Sequence, residues 1–137
     1  MIGLGKMGLP IAQNLIERGF AVTGYRRSGS PELEQAGGTV AGSPAEVAAS
    51  ADVLLSIVPD AADVEEVIGG PHGTLKAMRP GTIHIEMSTI DVPRKARIRE
   101  AVINSGGDLL DCPISGSPGS VGMRGSTCVV DAWIITS

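Results

Sequence analysis

The run Gly3-Leu4-Gly5-Lys6-Met7-Gly8 restricts what this chain can fold into more than any other stretch. The spacing G-x-G-x-x-G asks three separate things of glycine: a sharp turn out of a strand, close backbone approach to a pyrophosphate, and tight packing of the next helix. That helix follows at once. Ile11, Ala12, Leu15 and Ile16 recur at helical spacing between Gly8 and Arg18, and Gly19 supplies the stop. Its N-terminus would stabilise bound phosphate charge, so the pattern predicts nucleotide binding by residues 3–8. Only Met1 and Ile2 precede the turn, where a strand of about 5 residues is expected. The first strand is therefore expected to be nearly absent.

Further along, strand-like and helix-like runs alternate. Residues 20–25, 52–58, 82–86 and 108–111 have strand character, and the second is continuously apolar in its middle, as a parallel strand covered on both faces must be. Ser43-Pro44-Ala45-Glu46 predicts a capping box opening a helix, and residues 91–105 predict a longer helix closed by Gly106-Gly107. Such alternation predicts an α/β fold: a Rossmann-like doubly wound parallel sheet with helices on both faces.

The residue after the second strand discriminates between nucleotides. An NAD site places Asp or Glu there to accept from the ribose 2′-hydroxyl. This chain has Arg26-Arg27-Ser28, two guanidinium groups and a hydroxyl suited to a 2′-phosphate. NADP is expected over NAD.

Composition removes other classes. A net charge of −4 and only Phe20, Tyr25 and Trp133 as aromatics disfavour a nucleic-acid partner. No apolar run reaches membrane-spanning length and no signal-like segment opens the chain, so a cytoplasmic location is expected. Cys112 and Cys128 stand too far apart for a C-x-x-C framework and are expected to be free thiols. His72 and His84 lack neighbours at ligand spacing, so no metal is expected. Arg94 to Arg99 is expected to be a solvated helix face.

The ordered landmarks Gly3–Gly8, Ile11-Ala12-Gln13-Asn14-Leu15, Arg26-Arg27-Ser28, Val58-Pro59-Asp60, Glu86-Met87-Ser88-Thr89 and Asp111-Cys112-Pro113-Ile114-Ser115-Gly116-Ser117 resemble the β-hydroxyacid dehydrogenases over residues 1 to about 126. That family includes 3-hydroxyisobutyrate dehydrogenase and the coenzyme domain of 6-phosphogluconate dehydrogenase. The resemblance implies that Gly3, Leu4, Gly5, Lys6, Met7 and Gly8 hold the pyrophosphate, and that Arg26, Arg27 and Ser28 hold the 2′-phosphate. It further implies that Val58, Pro59 and Asp63 border the cofactor and that Thr89 contacts it near the nicotinamide. Ser115, Gly116 and Ser117 would take the carboxylate of a small β-hydroxyacid or semialdehyde, as closely spaced small residues exposing N–H donors can.

Three departures qualify the resemblance. Arg26 stands where Asn is usual, and Ser117 replaces the second Gly of S-G-G. The family's catalytic Lys lies in a G-x-G-x-x-x-K-x-x-N segment, and none of Lys6, Lys76 or Lys95 occupies one. No catalytic residue is therefore assigned. The expected organisation is a cofactor domain over residues 1–126 and a divergent tail over 127–137. The helical domain that builds the family's homodimer is expected to be missing. Two alternatives remain open: a non-catalytic NADP-binding module, and the cofactor domain of an imine reductase.

Overall fold

A computed structural model describes residues 1–115 and 127–128. In chain order the elements are α1 (Gly8–Glu17), β1 (Thr23–Gly24), α2 (Pro31–Gln35), β2 (Thr39–Val40), α3 (Pro44–Ser50), β3 (Val53–Ser56) and α4 (Ala61–Gly69). A 3₁₀ turn (Thr74–Lys76) leads to β4 (Ile83–Glu86), α5 (Val92–Asn104), β5 (Asp108–Asp111), β6 (Ile114–Ser115) and β7 (Thr127–Cys128).

β3 is apolar on both sides because helices cover both faces of its sheet. Leu54 belongs to a buried cluster with Val47, Val64, Ile68, Ile98 and Val102 from α3, α4 and α5. Its neighbour Leu55 points the other way and packs on the cluster of Leu4, Ala12 and Leu33, beneath α1 and α2. β3, β4 and β5 run parallel, with Leu54, His84 and Leu109 side by side. β1 and β2 form a second parallel pair.

One residue joins the two half-sheets. Ile2 bridges Tyr25 on one side and Ser56 on the other, both in parallel. The spatial order is thus β2, β1, Ile2, β3, β4, β5, which is the expected doubly wound arrangement with its switch point between Ile2 and β3. The strand expected over residues 20–25 pairs only at Thr23–Gly24, and Phe20 is left 62% exposed. Likewise the run 52–58 pairs regularly only over Val53–Ser56.

Four helices start on a side-chain cap. Ser30, Ser43, Asp60 and Asp91 accept from the backbone N–H of Leu33, Glu46, Asp63 and Arg94 respectively. The box at Ser43 differs from the expected one, since the Glu46 carboxylate accepts from Gly42 N–H at 2.7 Å, one residue before the cap. α2 carries the same Ser-Pro start at Ser30-Pro31, a helix signal passed over in the sequence.

Two expectations need correction. Cys112 is disulfide-bonded rather than a free thiol; the antiparallel β6–β7 pairing sets Ile114 against Cys128, a proximity that sequence spacing does not reveal. Lys95 does not belong to a solvated face. It is largely buried and hydrogen-bonds Asp111 at the end of β5, while Arg94 and Arg97 stay exposed.

The glycine turn is required by sterics at two positions. Gly3 has φ +89°, and a Cβ there would lie 2.0 Å from the Ile57 carbonyl oxygen. A Cβ on Gly8 would lie 1.7 Å from the Gly3 oxygen. A Cβ on Gly5, by contrast, would meet no atom of the other described residues within 4 Å, its chain neighbours aside. Gly8→Ala should therefore cost about 3 kcal/mol or more of stability, whereas Gly5→Ala should stay within about 1 kcal/mol. Urea denaturation of both variants checks this; equal losses would contradict it.

Candidate dinucleotide site

The switch point opens a cleft of about 500 Å³ at the carboxyl ends of the strands. Gly3, Leu4, Gly5, Lys6, Met7 and Gly8 form one wall, Arg26 and Arg27 a second, and Val58, Pro59 and Asp63 a third. Eleven of the cofactor positions expected from the sequence thus converge in one place. Ser28 and Thr89 are exposed and lie off its lining. Ser115 is described only as backbone in β6, and Gly116 and Ser117 lie outside the described residues.

Local structure explains how each wall is placed. α1 begins at Gly8 with Met7 as N-cap and no side-chain cap, unlike α2, α3, α4 and α5. Its first backbone N–H groups are therefore without the side-chain acceptor the other helices have, and they front the cleft beside the open space at Gly5. A helix start of this kind suits an anionic group. Arg26 and Arg27 follow directly on Tyr25, whose backbone N–H and carbonyl are tied to Met1 oxygen at 2.9 Å and Gly3 nitrogen at 3.0 Å. Arg27 Nη2 stands 3.6 Å from the Asp63 carboxylate in the first turn of α4. With Arg27 75% exposed, the pair contributes little, and the guanidinium stays available to a stronger anion.

Behind the Val58-Pro59 wall lies a buried polar cluster that sequence reasoning missed. Ser56 Oγ is 2.7 Å from His84 Nε2 and donates to the Glu86 carboxylate. Ser88 N–H donates to Glu86 Oε1 at 2.7 Å, and Ser88 Oγ accepts from Val58 N–H at 2.9 Å. All four side chains are buried. Burial pushes the His84 imidazole down to about 4, so it is neutral and its 4.0 Å approach to Glu86 is no ion pair. A neutral ring donating from Nε2 to Ser56 leaves Nδ1 as a bare acceptor, and that atom has no hydrogen-bond partner among the described residues. Burial raises the Glu86 carboxyl above its usual range, against the opposing hydrogen bonds from Ser56 and Ser88 and the Lys95 charge. Polar residues at alternate positions of a strand otherwise read as core, His84 and Glu86, were the signal available.

Residues 1–129 match the family described as the NAD binding domain of 6-phosphogluconate dehydrogenase. The chain belongs to that family. Mouse mitochondrial 3-hydroxyisobutyrate dehydrogenase is 37% identical over 121 residues, covering 87% of this chain and 36% of the relative. The mouse cytokine-like nuclear factor N-PAC is 34% identical over 116 residues, covering 85% of this chain and 20% of the relative. Among solved structures, Psf3 in complex with NADP+ and 2-OPP superposes with a TM-score of 0.84 at 26% identity, over 93% of this chain and 46% of that one. This 6-phosphogluconate-dehydrogenase-type domain therefore spans between a fifth and a half of the proteins it resembles. Among the described residues no helix is long and apolar enough to cross a membrane.

His84 and Glu86, the two titrating groups of this cluster, move stability in opposite directions with pH. Unfolding frees His84 to bind a proton near its ordinary 6.5, so its contribution is complete above that value and fades as pH falls toward 4. Glu86 does the reverse, costing stability as pH rises from 4.5 through its raised folded value. Glu86→Gln should therefore gain on the parent chain between pH 5 and pH 8, and His84→Leu should gain on it between pH 6.5 and pH 4.5. Urea midpoints at these pH values check both signs; parallel curves would refute them.

Proposed function

We propose that the chain is the cofactor-binding part of an NADP(H)-dependent oxidoreductase that interconverts a small β-hydroxyacid and its semialdehyde. The observation that carries this reading is the empty space at Gly5, flanked along one cleft by the uncapped start of α1 and by Arg26 and Arg27. Gly3 to Gly8 would hold the pyrophosphate, with Arg26, Arg27 and Ser28 on the 2′-phosphate. Val58, Pro59, Asp63 and Thr89 would border the remainder. The Arg pair, together with the NADP+ in the Psf3 complex, supports NADP over NAD. When bound, the nicotinamide supplies or accepts the hydride. Ser115, Gly116 and Ser117 would seat the substrate carboxylate, a role suggested by the likeness to 3-hydroxyisobutyrate dehydrogenase.

Residues 1–126 form the cofactor domain in this reading. The acid–base group and the helical dimerisation domain belong to sequence beyond the matched stretch. None of Lys6, Lys76 or Lys95 sits in a segment of the catalytic form, and acid–base help is typically worth about 10²–10⁴-fold in rate. Turnover by the chain alone is thus expected to be negligible. A second reading, a non-catalytic NADP-binding module, draws on the likeness to N-PAC, a nuclear factor by name.

Titrating the chain with NADPH and NADH, followed by reduced-nicotinamide fluorescence, tests the cofactor assignment. NADPH should bind tighter. Arg27→Ala should weaken NADPH about 10–100-fold and NADH hardly at all, and Gly5→Ala should weaken both. Preference for NADH, or an Arg27→Ala variant with unchanged NADPH affinity, would overturn it. Reductase activity toward small semialdehydes in the 137-residue chain alone would contradict the placing of the acid–base group elsewhere.

A further inference from the structure

We propose that Glu86 and Ser88 are positioning residues for the cofactor cleft: through them β4 fixes the Val58-Pro59 wall of the site. The regular ladder between β3 and β4 ends where Met87 N–H donates to the Ser56 carbonyl at 2.8 Å. Past that rung β3 turns away toward the cap of α4 at Asp60, and Val58 N–H needs a new acceptor. Ser88 Oγ supplies it at 2.9 Å. Ser88 is held in turn by its own backbone N–H, which donates to Glu86 Oε1 at 2.7 Å. The other carboxylate oxygen accepts from Ser56, one residue-pair inside the sheet and backed by His84.

The result is an unbroken chain, buried from His84 through Ser56 and Glu86 to Ser88 and ending at the half-buried Val58, which lines the cleft. A rigid apolar sheet needs none of these polar groups for packing, and a hydrogen-bonded set this deep specifies one geometry. Only one link reaches the cleft. The Ser88 hydroxyl sets where Val58, Pro59 and the first turn of α4 with Asp63 stand relative to the glycine turn. The proposal rests on the dinucleotide reading for its consequence, though not for its geometry.

The test pairs disruptive with conservative variants and uses two readouts. Ser88→Ala removes the acceptor of Val58 N–H, and Glu86→Ala removes the anchor of Ser88. Ser88→Thr keeps the hydroxyl, and Glu86→Gln keeps an oxygen for Ser88 and gains an amide to donate to Ser56. Amide hydrogen exchange at Val58, with Leu54 as internal control, reads the wall itself. NADPH affinity reads its consequence. Both Ala variants should speed Val58 exchange about tenfold with Leu54 unchanged, and weaken NADPH by a similar factor, while the Thr and Gln variants stay within about threefold of the parent chain.

Should Glu86→Ala fail to fold, Ser88→Ala and the two conservative variants still decide. Unchanged Val58 exchange in Ser88→Ala, or losses in Ser88→Thr and Glu86→Gln as large as in the Ala variants, overturn the proposal. If the parent chain binds no dinucleotide, the cofactor reading fails, and Val58 exchange still decides the positioning role.

Discussion

Everything in this fold hangs on the two-sided pairing of Ile2. Its N–H donates to Leu55 oxygen at 2.7 Å, its carbonyl accepts from Ile57 N–H at 3.0 Å, and the next amide, Gly3 N–H, reaches Tyr25 oxygen. These bonds join the β2–β1 pair to the β3–β4–β5 sheet, and they aim the chain directly into the glycine turn. The side chain is fully buried in the cluster shared by α3, α4 and α5. A ladder rung, a core residue and the entry to the site thus coincide in one position.

From that junction the site follows by sterics and then by electrostatics. Gly3 and Gly8 let turn, strand and helix approach to distances that a Cβ forbids, whereas Gly5 keeps space clear on the cleft side. The three glycines of one motif therefore do different jobs, and the two kinds are separable by substitution. The remaining donors are oriented rather than created: α1 lacks the side-chain cap that every other α-helix among the described residues has, and its start meets the Arg26–Arg27 pair across one opening. Deep burial of these charges would cost more than it returned. The arginines stay exposed, and the buried carboxylate, Glu86, is placed where it holds backbone.

The family resemblance and the fold rest on order along the chain, which sequence displays directly. The glycine spacing, the apolar run of β3, the Ser43 cap and the Arg26–Arg27 pair are local patterns whose physics acts over a few residues, so they were legible. Less legible were α2, whose Ser30-Pro31 start is short, and β2, only two residues long and defined by its partner β1. The state of Cys112 and the pairing of Lys95 with Asp111 depend on chain segments brought together by strand pairing and helix packing. Neither spacing nor composition carries that information.

Sequence by itself determined the class of fold, the position of the glycine turn and the basic group at the end of the second strand, because each is written in residue types at short, fixed offsets. Tertiary structure alone decided how they meet. The register of β3 on β4 sets Ser56 beside Glu86 and leaves Val58 without a strand partner, and Ser88 then supplies the missing acceptor. Serine, histidine and glutamate spread between Ser56 and Ser88 have no common pattern in one dimension. They form a single network because parallel pairing stacks their strands and burial makes every unpaired polar group costly.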